Sequence, residues 1–319
     1  MRAFSTLLIL ACHYCAECSF SAVALLGQVF NIGVHLFFLL SGFLTGYNGI
    51  PQPYTAWYQK RAKRIYLPFW LFLTVLAGVY LAKGMRLFTA DWLFLWLGAQ
   101  GSNVGVWGAE QTWFLSALLL CYLLSPAILS ANRKRIHLNN QKITILSGLL
   151  VCAMPLIYAA AEPEWVYTLL TPISLYTMAC VYGVAYRENG GYPRSRAYLP
   201  VCCLVVAGAF GTRFIARALI DGSLWYARVI VPYTHMIAAA AIWLIFETLF
   251  AQRRVSKVAK CVNDLSFEIY LWHYMFVVGP VSIFSLLNNW ITACAATTIV
   301  VFLISFASSR VTSFLQKIF

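Results

Sequence analysis

Charge is what this chain has least of. Only 10% of its 319 residues are Asp, Glu, Lys or Arg, against 61% hydrophobic residues. A soluble domain carries about 25% charged residues, so a water-soluble globular protein is excluded. With a mean hydropathy of +0.75, the composition predicts an all-α polytopic integral membrane protein. Acids are scarcer than bases, 10 against 23, which leaves a net charge of +13. That excess calls for no nucleic acid partner, because cytoplasmic loops of membrane proteins collect Lys and Arg. Long polar stretches are missing too. The longest non-spanning segment is about Gly84 to Glu110, and the sequence shows no soluble domain, long-period repeat or low-complexity tract. Nor is there a second Cys/His pair at metal spacing to complete a zinc set around Cys12, His13, Cys15 and Cys18. Free thiols and no metal are therefore expected.

What is present is a series of apolar runs. Ten transmembrane helices are expected, at about 4–26, 29–47, 64–83, 111–131, 143–160, 165–186, 198–219, 227–250, 264–286 and 289–316, since ~20 apolar residues cross the hydrocarbon. Trp92 to Gly98 is apolar but too short to cross, and reads as interfacial or re-entrant. Placing both termini in the cytoplasm leaves only Lys83, Arg86, Arg213, Arg217 and Arg228 outside and puts the other 18 of 23 basic residues inside, as the positive-inside rule requires. The start resembles a signal peptide, but His13 and Glu17 interrupt the apolar run, so it is read as a retained first span. The tryptophans Trp92, Trp96 and Trp107 form either an interfacial belt or a platform for a sugar ring.

The first run also holds the best candidate for chemistry. Arg2 and His13 are eleven residues apart, close to three helical turns, so they share a face ~16 Å apart along the axis. Glu17 lies four residues past His13 on the same stripe. Ionisable groups within a membrane face protein interior or a watery cavity. The stripe is either a set of satisfied interior polar groups or a functional site. In the second run Gly42 and Gly46 permit close helix approach. Before the third run, Arg61 and Arg64 stand side by side at the cytoplasmic mouth, suited to phosphate or to lipid headgroups.

Taken in order, these pieces resemble a known family. Arg2 with ten residues before His13, then Phe37-Phe38-Leu39-Leu40-Ser41-Gly42, then Arg61-x-x-Arg64, are similar to the three signature motifs of membrane-bound acyltransferase family 3. Trp113-Phe114-Leu115 with Tyr122-Leu123-Leu124-Ser125-Pro126 resembles its fourth conserved region. Leu265-Ser266-Phe267-Glu268-Ile269-Tyr270-Leu271-Trp272-His273 resembles its late segment. The resemblance covers essentially all of 1–319 and implies a single transmembrane acyltransferase domain of about ten spans, without the extracytoplasmic hydrolase-like domain fused to some members. It implies an enzyme of the bacterial inner membrane that moves acetyl, or another short acyl group such as succinyl, from acyl-CoA to a cell-surface polysaccharide or lipid-linked sugar.

Site roles follow from that resemblance. Arg2, Arg61 and Arg64 would take the phosphates of acetyl-CoA. Ser41 would bond the thioester or line the acyl pocket, unless its hydroxyl bonds back to its own helix. His13 is the catalytic candidate, as general base or as transient acyl carrier. Glu17 would orient it in the manner of a triad carboxylate, or pair with an arginine elsewhere. Tyr270 and His273 are expected in the same cavity, on the substrate side. Arg213 and Arg217 form either a salt-bridged helix end with Asp221 or an outward patch for an anionic glycan or lipid diphosphate. His35 and His235 have no motif behind them and read as interior polar groups. A glycan exporter is the competing class, since spans with midplane charges also suit transport.

Overall fold

The computed structural model describes residues 1–87, 89–101, 105–135, 153, 156, 164–191, 195–220, 222–250 and 254–318. Among these residues there are helices and connecting turns but no strand. The α-helices are α1 (Arg2–Ala16), α2 (Ser21–Phe30), α3 (Ile32–Asn48), α4 (Tyr54–Ala82), α5 (Ala90–Leu97), α6 (Trp113–Arg135), α7 (Glu164–Glu188), α8 (Leu199–Ile220), α9 (Val231–Phe250), α10 (Lys257–Asp264), α11 (Ser266–Val277) and α12 (Trp290–Ile318). Six described stretches are long and apolar enough to cross a bilayer: Ser21–Asn48, Tyr54–Ala82, Glu110–Ser130, Arg196–Ile220, Tyr226–Phe250 and Trp290–Ile318. They fall on the expected spans 29–47, 64–83, 111–131, 198–219, 227–250 and 289–316, while α7 covers 165–186. The expected span 143–160 lies outside the described residues, apart from 153 and 156.

Two expected spans take another form. The run 4–26 is not one helix. It stops at Ala16, where the Cys18 N–H turns back to the Cys15 carbonyl at 3.1 Å, and restarts at Ser21. Gly27 explains why the chain folds over here. A methyl at Gly27 would stand 2.8 Å from the Cys12 carbonyl oxygen, so only glycine lets α2 press this closely onto α1. Glu17 therefore lies beyond the helix end, exposed, and leaves the expected stripe. The run 264–286 is divided too. Its helix α11 ends at Val277, and irregular backbone leads to α12.

The described chain forms two compact units. One contains Ile32–Ile50 and Ala117–Val255. In it α3 and α7 meet backbone to backbone, because added methyls at Gly42 and Gly46 would overlap the Tyr176 and Cys180 carbonyls, and one at Gly183 the Phe43 carbonyl. Close approach of small residues is how apolar helices associate without a hydrophobic drive. The seam carries its own polar tie. The Tyr176 hydroxyl donates to Thr45 Oγ1 at 3.0 Å and shares a 2.8 Å hydrogen bond with Ser125 Oγ.

The other unit contains Arg2–Asn31, Pro51–Ser116 and Ser256–Phe319. Its long helix α4 guides the segment after Gly84. Trp92 meets Tyr80 edge-on at 5.1 Å. Further along, the Tyr66 hydroxyl donates to the Leu97 carbonyl at 2.9 Å, and Trp70 Nε1 to that of Trp96 at 3.1 Å. From Tyr80 to Tyr66 is ~21 Å of helix rise, so α5 runs back along α4. Gly98, left-handed at φ 70°, ends α5. The segment then returns, and the Tyr80 hydroxyl donates to the Trp107 carbonyl at 3.0 Å. Trp92 to Gly98 is thus a short helix packed along α4 and does not cross by itself.

The glycine seam yields a stability prediction. Gly46→Ala should lower the unfolding midpoint in detergent, with ~1–3 kcal/mol lost to overpacking. Gly208→Ala in the same unit has open space around the new methyl and should unfold no earlier than the native chain. Equal midpoints for the two variants would contradict the close α3–α7 packing.

Candidate active site

In the second unit α1 lies against α11, and there the histidine of the first motif meets that of the last. The His13 and His273 ring centroids are 5.1 Å apart, tilted by 43°. Tyr274 stands edge-on to His13 at 5.0 Å. His13 is partly exposed, whereas His273 is completely buried. Glu17 and Glu110 are both within electrostatic range of Tyr274.

The frame that fixes α11 is built on its backbone. The Tyr270 hydroxyl donates to the Gln111 carbonyl, and Gln111 Nε2 donates in return to the Leu271 carbonyl at 2.9 Å. Trp107 Nε1 donates to the Val278 carbonyl at 2.8 Å. The short 3₁₀ turn Glu110–Thr112 is anchored by the Glu110 carboxylate, which accepts the Gly108 N–H at 2.8 Å. On the far side of α1, Trp290 Nε1 donates to the Tyr14 carbonyl at 2.7 Å, and the Tyr14 hydroxyl bonds Thr298 Oγ1 at 3.1 Å. The residues flanking both histidines are thus held by named hydrogen bonds.

The motif arginines sit in the first turns of α4. The Arg61 guanidinium lies over the Trp57 ring, 5.4 Å from its centroid. Arg64 is exposed and within electrostatic range of Glu268, near the start of α11. The Trp272 ring meets Phe72 on α4 at 5.3 Å, eight residues past Arg64 or ~12 Å of rise. Arg2 opens α1, so its ~16 Å separation from His13 along one helix is retained. One unit therefore contains Arg2, His13, Glu17, Arg61, Arg64, Tyr270 and His273.

Ser41, Arg213 and Arg217 belong to the other unit. Ser41 is half-buried on α3, and its carbonyl accepts Thr45 Oγ1 at 2.8 Å. Arg213 is buried and donates from Nη1 to His235 Nε2 at 2.5 Å. The His235 ring also packs against that of His35, with centroids 4.6 Å apart and planes tilted by 45°. Arg228 is buried within a π-helical turn, Tyr226–Ile230. Asp221, the expected partner of Arg217, lies outside the described residues. Sequence reading passed over Tyr274, Glu110, Gln111 and the His35–His235 pair. Tyr274 directly follows His273 and carried a usable signal. Gln111 and the His35–His235 pair meet their partners across helices, and no spacing within one helix reports that.

Residues 1–310 match the family described as an acyltransferase domain. The chain belongs to acyltransferase family 3. That match covers nearly the whole chain and parts of both units, so this family 3 protein is a membrane acyltransferase. No curated protein and no solved structure matches it.

The frame around α11 can be tested directly. Tyr270→Phe removes the hydroxyl that ties α11 to the Gln111 carbonyl, a net loss of ~0.5–1.5 kcal/mol for one hydrogen bond. An earlier thermal unfolding midpoint in detergent is expected. An unchanged midpoint would mean that this bond does not hold the helix.

Proposed function

We propose that this acyltransferase moves an acetyl group from acetyl-CoA to a hydroxyl of a cell-surface polysaccharide or lipid-linked sugar, in the bacterial inner membrane with both termini cytoplasmic. The observation that carries the reading is the meeting of His13 with His273 and Tyr274, in the same unit as the arginine pair of α4. Family membership alone supports acyl transfer. Donor, acceptor and residue roles are inferred from chemistry.

Arg61 and Arg64 bind the phosphates of acetyl-CoA, with Arg2 assisting, because guanidinium forks match phosphate oxygens. The thin pantetheine arm extends from this mouth toward His13 along the helices. His13 removes the proton from the acceptor hydroxyl. The oxygen then attacks the thioester carbonyl, the new C–O bond forms, the C–S bond breaks, and the thiolate recovers the proton from His13. Acyl transfer through His13 itself is the two-step variant of the same chemistry. Tyr270 and His273 support the substrate side from the buried interior behind His13.

Two experiments test this assignment. Membranes containing the native chain should pass label from acetyl-CoA into extracted glycan or lipid. His13→Ala at equal expression should reduce that rate by ~10²–10⁴, the usual contribution of a general base. Labelling equal to native by the variant would remove His13 from the chemistry. An export protein, by contrast, would work without acyl-CoA. Arg61→Ala and Arg64→Ala should each raise the KM for acetyl-CoA by about ten- to a hundredfold, the equivalent of one charge-assisted hydrogen bond. Unchanged KM values would place the phosphates elsewhere.

A further inference from the structure

His273 presents an arrangement that packing alone does not explain. Its ring is 0% exposed. Nδ1 lies 2.7 Å from the Tyr270 carbonyl oxygen and 3.2 Å from that of Ile269. Carbonyls only accept, so Nδ1 carries the proton and Nε2 keeps a lone pair. That lone pair has no hydrogen-bond partner among the described residues. Leaving a buried acceptor unsatisfied costs about 1–3 kcal/mol, and native proteins rarely leave one without a reason. Leucine or phenylalanine would fill such a position without that penalty. The ring that approaches His273 most closely is His13, at 5.1 Å, followed by Tyr270 at 5.9 Å and Tyr274 at 6.1 Å. At 5.1 Å between centroids, a modest ring rotation brings facing nitrogens within hydrogen-bond reach.

We infer that His273 is a positioning residue for His13, its Nε2 lone pair accepting the N–H of His13 and thereby holding that ring in one tautomer. This is the task a carboxylate performs for the histidine of a hydrolytic triad. With one ring N–H committed to His273, the other nitrogen of His13 keeps its lone pair for the acceptor hydroxyl. When His13 takes the hydroxyl proton, the positive charge is shared across the His13–His273 hydrogen bond. When the thiolate recovers that proton, the pair returns to its starting state, and His273 gains and loses nothing overall. Its kinetic consequence rests on the acyl-transfer reading, but its consequence for the His13 tautomer does not.

Two substitutions separate this role from a structural one. His273→Asn keeps an N–H donor where Nδ1 stood and deletes Nε2. His273→Gln places an amide where Nε2 stood and gives up the Nδ1 bond. If Nε2 works through His13, the Asn variant folds with a native-like midpoint and an unchanged KM for acetyl-CoA, while kcat falls by about a hundredfold. The Gln variant then regains part of that loss. An Asn variant within about twofold of native kcat, well under 1 kcal/mol in the barrier, would overturn the inference. The second arm needs no turnover. Nitrogen NMR of the native chain labelled at its five histidines should show His13 in a single tautomer, and His273→Asn should turn it into a mixture. The same His13 spectrum in both proteins would overturn the inference even if no acyl group is ever transferred. Absence of transfer by the native chain would count against the acyltransfer reading alone.

Discussion

A polar group in an apolar interior must find its partner inside the protein, and the second unit is arranged around that constraint. Hydrocarbon offers no water to stand in for a missing hydrogen bond. The returning segment after α5 meets the constraint by bonding to α11 at its backbone. Gln111 and Tyr270 exchange bonds across the gap, and Trp107 takes the last carbonyl region of the helix. The Gly98 turn and the glycine contact at Gly108, where a methyl would press on Pro280 at 2.6 Å, let the segment make that return. With the flanks fixed this way, His273 cannot drift, and its unfilled Nε2 is a property of the site rather than slack in the packing.

The two histidines come from opposite ends of the chain. His13 stands on α1, which is fastened by Trp290 and Thr298 of α12. His273 stands on α11, fastened by the segment from Trp107 to Thr112. Acyl transfer asks for a proton acceptor whose orientation survives an exchange of ligands. Two helices with separate anchors would hold the proposed base in place, and His13 is partly exposed.

Much of this was legible in the sequence because it depends on composition and local spacing. Six of the apolar runs fall on stretches long enough to cross, two of which begin eight and ten residues earlier than expected, and Arg2 and His13 do share one helix. The glycine pair on α3 packs as small-xxx-small spacing implies. Glu17 was misplaced for a physical reason. Helical periodicity cannot tell that a run will break, and the break depends on Gly27, ten residues later, accepting α1 at backbone distance. The pairing of Arg213 with His235 was equally hidden. An arginine near a helix end reads as a surface charge, and only the packing of α8 and α9 shows it buried against an imidazole. Length alone says that Trp92 to Gly98 is too short to cross, but that it runs back along α4 shows only in the bonds from Tyr66 and Trp70.

The bond this protein makes is the most direct measure of the account. Glycan and lipid extracted from cells expressing the native chain should carry an added acetyl group that mild alkali removes, as an oxygen ester requires, and cells expressing His13→Ala should lack it. An alkali-stable modification, or the same alkali-labile acetyl group in both, would contradict O-acyl transfer centred on His13.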